Sequence, residues 1–134
     1  MKSFLKIAAL SLLALASSLA ETPQEGLAKI TEYYKNSNFK QLITERYSEI
    51  HKAKTDEEVA KFVAKFEKRF ADPKRLEKVV AQFEMIAGYE VTIEEDETPQ
   101  PTETGKVAKF TKPGEEGRSF KLYEMKNGLW GFHL

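Results

Sequence analysis

Phe83-Glu84-Met85-Ile86-Ala87-Gly88-Tyr89-Glu90-Val91-Thr92-Ile93-Glu94 is where the chain changes its manner of folding. Before Gly88, the apolar residues Leu76, Val79, Val80, Phe83, Ile86 and Ala87 recur every three or four positions, the period of a helix with one buried face. After it, Tyr89, Val91 and Ile93 alternate with Glu90, Thr92 and Glu94, the period of a strand with one buried and one wet face. Gly88 is the expected left-handed stop between the two. Helical periods lie upstream and alternating ones downstream, so the sequence predicts an α+β fold with helices on one side of an antiparallel sheet.

Upstream, Asp72-Pro73 supplies a cap and a first-turn proline for the helix that ends at Gly88. The helix before it begins at Thr55-Asp56-Glu57-Glu58, which reads as a capping box, and carries Val59, Phe62, Val63, Phe66 and Phe70 on one stripe. A further helix is expected from Asn38, its predicted N-cap, to near His51, with Phe39, Leu42, Ile43, Tyr47 and Ile50 on one face. The first helix follows Pro23 and presents Leu27, Ile30, Tyr33 and Tyr34. Asn36-Ser37-Asn38 breaks it.

Downstream, the acidic stretch 95–105 holds Pro99 and Pro101 and reads as a long turn. Strands are expected at 106–112, with Ala108 and Phe110 opposite Val107, and at 118–125, with Phe120 and Leu122 opposite Tyr123 and Met125. Lys126-Asn127-Gly128 predicts a tight type I′ hairpin into a last strand carrying Trp130, Phe132 and Leu134. About four strands therefore follow four helices.

The 134 residues contain 41% hydrophobic and 31% charged residues, which suits one domain and excludes collagen-like and disordered compositions. Twenty-one basic residues balance 21 acidic ones, so no strong net field draws nucleic acid or anionic lipid to the surface. The lysines and arginine of the two middle helices are interrupted by glutamates and lack an aromatic stacking platform, which disfavours nucleic acid as a partner. Without cysteine there is no disulfide, thiol nucleophile, iron–sulfur cluster or zinc thiolate site.

Lys2 and Lys6 precede an apolar run, residues 7–16, and Ser17-Ser18-Leu19-Ala20 ends in small residues. That is the layout of a secretory signal cut after Ala20, which sends the remaining 21–134 domain to a periplasm or the medium. The run is too short to span a bilayer and no second one follows, so the mature chain is expected to have no membrane span.

The closing stretch Phe120-Lys121-Leu122-Tyr123-Glu124-Met125-Lys126-Asn127-Gly128-Leu129-Trp130-Gly131-Phe132, and the opening Ile30-Thr31-Glu32-Tyr33-Tyr34-Lys35-Asn36-Ser37-Asn38-Phe39, resemble the NTF2-like superfamily and its small secreted bacterial members. The resemblance implies a cystatin-like cone, in which a curved sheet wraps the helices, with an open end for a small apolar ligand and pairing through the sheet into a homodimer. The family holds ketosteroid-isomerase-like enzymes and many domains without known catalysis. The long helices over 55–71 and 73–87 depart from its compact members and add side chains that fill such a cone.

Residues expected to line the interior are Tyr33, Tyr47, Phe62, Phe66, Phe83, Phe120, Leu122, Trp130 and Phe132. An isomerase or dehydratase needs a carboxylate base and a hydroxyl donor in an apolar cavity. Glu124, on the strand face of Phe120 and Leu122, is the candidate acid, and Tyr33 or Tyr47 the candidate donor. A polar residue on such a face more often reaches solvent at a strand end. His133 is a further candidate, although it reads more simply as a half-exposed strand residue. His51 and His133 are the only histidines, and neither has a ligand partner at metal-binding spacing, so no metal is expected. No phosphate-cradling loop, nucleophile elbow or dinucleotide fingerprint is present, and no cofactor is expected. These patterns favour a non-catalytic domain that binds a small apolar ligand or a protein partner. The alternative partner surface is the sheet face of Val107, Tyr123 and Met125.

Overall fold

The computed structural model describes residues 20–115 and 117–133. The expected secretion signal, up to Leu19, lies outside them. Four α-helices among the described residues precede a four-stranded antiparallel sheet in the order β1-β2-β3-β4. The helices are α1 (Pro23–Lys35), α2 (Phe39–Arg46), α3 (Asp56–Arg69) and α4 (Pro73–Ile86). The strands are β1 (Glu90–Glu95), β2 (Glu103–Thr111), β3 (Ser119–Met125) and β4 (Trp130–Gly131). No helix among the described residues is long and apolar enough to cross a membrane.

Three of the four described helices start where a side chain satisfies an orphan amide. Thr22 closes a capping box on α1, accepting from the Glu25 amide at 3.1 Å while its own amide donates to the Glu25 carboxylate at 2.9 Å. Thr55 caps α3 through the Glu58 amide, but the Glu58 carboxylate accepts from the Lys54 amide instead of closing the expected box on Thr55. Asp72 caps α4 with Pro73 in the first turn. Asn38 spends its side chain on Gln41 and makes no capping bond to α2. Gly88 is not left-handed: α4 ends in a tight turn in which the Gly88 amide donates to the Met85 carbonyl.

The second helix is shorter than its apolar stripe predicts. At Tyr47 the backbone becomes extended (φ −91°, ψ 110°) and a 3₁₀ turn, Ser48–Lys52, follows. The reason is a tertiary competitor for the backbone. Phe132 donates its amide to the Arg46 carbonyl at 2.8 Å and accepts from the Ser48 amide at 2.9 Å, so Tyr47 forms a parallel bridge beside β4. The hairpin also differs from the prediction. Among its residues only Gly128 takes a positive φ (+87°), and its amide closes on the Met125 carbonyl. This is the three-residue turn with a left-handed glycine, not type I′. Asn127 keeps an ordinary φ and ties the turn to α2, its amide nitrogen donating to the Glu45 carbonyl.

Strand register aligns Val91, Phe110 and Phe120 in one row and Ile93, Ala108 and Leu122 in the next. Alternation puts these rows on one face. Ala108, Phe110, Leu122 and Trp130 there join Leu27, Ile30, Phe39, Leu42 and Ile43 in the core. Full burial of side chains such as Leu122 and Phe110 contributes about 1.5–3 kcal/mol each. On the outer strand Ile93 stays 54% exposed, and β1 lacks the buried face expected of it. The opposite sheet face, expected to be an exposed apolar surface, is largely covered. Val107 and Met125 are buried and Tyr123 is half-buried.

Candidate functional site

β4 pairs with β3 only at Tyr123 and Glu124. Phe132 bonds the Arg46–Ser48 segment instead, and among the described residues no strand pairs with the edge of β3 before Tyr123. A half-open cleft of about 380 Å³ occupies that place. Its walls are Ile30 and Tyr34 from α1, Phe83 from α4, Ser119, Phe120, Lys121 and Tyr123 from β3, and Phe132 and His133 from the C-terminal segment. This lies in the size range of small-molecule sites, roughly 300–1,000 Å³. A second groove of about 470 Å³ shares Ser119 and Phe120 and runs on past Met85, Ile86 and Tyr89 to Lys112 and Arg118.

The apolar side of the cleft is set by aromatic packing. Tyr34 meets Phe39, Phe70 and Phe83 edge-on at 5.2–5.6 Å, and Phe83 packs against Phe120 at 5.7 Å. Burial pushes the Tyr34 hydroxyl up to about 12, slightly opposed by the charge of Arg69. Among the described residues that hydroxyl has no hydrogen-bond partner.

The polar side is lined by Ser119, Lys121 and His133, and behind His133 stands Glu103. This first residue of β2 is 3% exposed, and one carboxylate oxygen accepts from the Gln100 amide at 2.9 Å. Its other oxygen, Oε2, has no hydrogen-bond partner among the described residues and faces His133 Nε2 at 3.5 Å. The imidazole lies over the Tyr123 ring, with centroids 4.0 Å apart. Burial, and then the negative charges of Glu103 and Asp96, raise the Tyr123 hydroxyl above its ordinary range.

The residues singled out from sequence divide among several places. Phe83, Phe120, Phe132 and His133 meet in the cleft. Tyr47 and Phe62, 4.6 Å apart, line a separate groove of about 370 Å³ with Glu49, Lys61 and Lys65. Phe66 packs among Phe39, Phe62, Phe70 and Phe132, and Leu122 and Trp130 are buried in the core. Glu124 accepts from the Thr104 hydroxyl at 2.8 Å in an exposed setting, and no described hydrogen bond joins it to a tyrosine. The tyrosines pair with other acids, Tyr33 donating to Glu45 at 2.8 Å and Tyr47 to Glu49 at 3.2 Å.

In both pairs the proton stays on the tyrosine. Burial would raise the Glu45 carboxyl, but hydrogen bonds from Gln41 and Tyr33 and the charge of Arg46 bring it below its ordinary range. A hydrogen bond from Lys52 leads in lowering Glu49. Tyr47 is pushed up to about 12 by burial and then by Glu49.

Sequence reading missed Glu103 because it lies in the stretch taken for a turn, where an irregular register between Glu103 and Val107 erases the alternation. It also missed Arg46, although Arg46 stands on the helical stripe of Leu42 and Ile43. That guanidinium is 2% exposed and binds both carboxylate oxygens of Glu21 at 2.7 Å. It also donates to the Trp130 carbonyl at 2.9 Å. Compared with known proteins, the chain matches no family model, no curated protein and no solved structure.

Proposed function

We propose that the chain is an exported, non-catalytic binding domain of NTF2-like architecture, and that the cleft beside β3 holds a small apolar ligand. The observation that carries this reading is the convergence of Tyr34, Phe83, Phe120 and Phe132, from four separate segments, around space that no side chain of the described chain fills. Export is supported by the charged, apolar and small-residue succession of the first twenty residues. A binding role fits the separation of acids from donors, since Glu124 and the tyrosine hydroxyls engage different partners.

Ser119 is exposed and borders the cleft, so Ser119→Trp plugs it without removing a core group. Titration with the fluorescent apolar probe N-phenylnaphthylamine should give saturable, one-to-one binding to the unaltered 21–134 domain. The plugged variant should lose it roughly tenfold or more, the effect of burying about one apolar side chain less. Absence of saturable binding, or equal binding by both proteins, overturns the assignment.

A further inference from the structure

Resting on that reading, we propose that Glu103 and His133 form the polar anchor of the cleft and select apolar ligands that end in a carboxylate. Glu103 brings a buried carboxyl group whose Oε2 has no hydrogen-bond partner among the described residues, a costly state unless a polar or cationic group stands by. His133 Nε2, 3.5 Å away, is the group so placed. With Nε2 turned toward Glu103, the ring's other nitrogen, Nδ1, is left as a polar atom to which no described residue offers a partner.

Stacking on Tyr123 limits where that donor points, and the ring itself borders the cleft. Lys121, on the same border, adds a positive group. A ligand carboxylate therefore meets one imidazole held in place and one flexible cation, while its apolar body lies against Phe83, Phe120 and Phe132. Glu49 is the other acid whose charge is coupled to His133, and its ties to Lys52 and Tyr47 engage it elsewhere. Glu103 acts through His133 and is a positioning residue.

Decanoate and decanol share one apolar body and differ in the head group, so calorimetric titration with each separates anchor from cleft. The unaltered protein should favour decanoate by roughly tenfold or more, the effect of one charge-assisted hydrogen bond. His133→Gln should abolish that preference, bringing the decanoate-to-decanol affinity ratio to about one. In the decanoate complex of the unaltered protein, ¹⁵N spectra should show protons on both ring nitrogens of His133. Equal affinity for the two molecules, an undiminished preference in His133→Gln, or a neutral ring in the complex overturns the anchor and leaves the apolar cleft standing. Failure of both molecules to bind overturns the cleft reading as well.

Discussion

Tyr34 shows how one side chain couples packing to solution conditions. Its ring fills the junction of α1, α2, α3 and α4, and its hydroxyl is kept protonated by burial up to about pH 12. An unfolded tyrosine ionises near 10, so the folded state binds this proton more tightly. The resulting stabilisation is fully present below pH 10 and is lost as the pH rises through the folded value. Its size is at most about 3 kcal/mol. Urea unfolding followed from pH 9 to pH 12 should show stability falling over that window. Tyr34→Phe should flatten the fall, leaving only the contributions of other raised tyrosines such as Tyr47. A pH dependence unchanged in that variant contradicts the burial argument.

At the level of elements, the decisive feature is the junction of Arg46–Ser48 with β4, which ends α2 early and leaves the β3 edge open. Gly131 permits that junction. A Cβ built there collides with the Arg46 carbonyl oxygen and with Met125 Sδ, one of them backbone that cannot swing aside. Gly131→Ala should therefore cost about 3 kcal/mol, read as a lowered urea midpoint, and should expose the Phe132 amide to hydrogen exchange. A fully stable variant contradicts the close approach. The same junction explains what was legible in sequence. Helix starts were readable because Thr55, Asp72 and Pro73 act on neighbouring amides, and strand faces because Phe110, Phe120 and Leu122 alternate locally. The end of α2 was not, since its competitor, Phe132, is remote in the chain. The cleft was legible only in part, through Phe83, Phe120, Phe132 and His133, because Glu103, which stands behind His133, lies in an irregular stretch that carries no period.

Across the whole molecule, the first described turn and the last strand are locked together through Glu21. Its carboxylate binds the buried Arg46 guanidinium with two bonds and accepts from the Trp130 amide at 2.8 Å. Its carbonyl accepts from the Trp130 indole at 2.9 Å. Gly26 completes the joint by letting α1 approach the Trp130 side chain, where an added Cβ stands 2.7 Å from Trp130 Cβ. The proposed cut after Ala20 would leave Glu21 as the first residue of the remaining chain. A chain starting at Glu21 should then be as stable as one with extra residues before it, whereas one starting at Thr22 leaves Arg46 buried without its counter-ion. Loss of one partner from a buried pair costs about 3–5 kcal/mol, so the shorter chain should unfold at markedly lower urea. Glu21→Gln, which keeps acceptor and shape but removes the charge, should fall between the two. Equal stability for the chains starting at 21 and 22 means that Arg46 finds another partner, and the lock between the ends of the domain is then not what holds β4 in place.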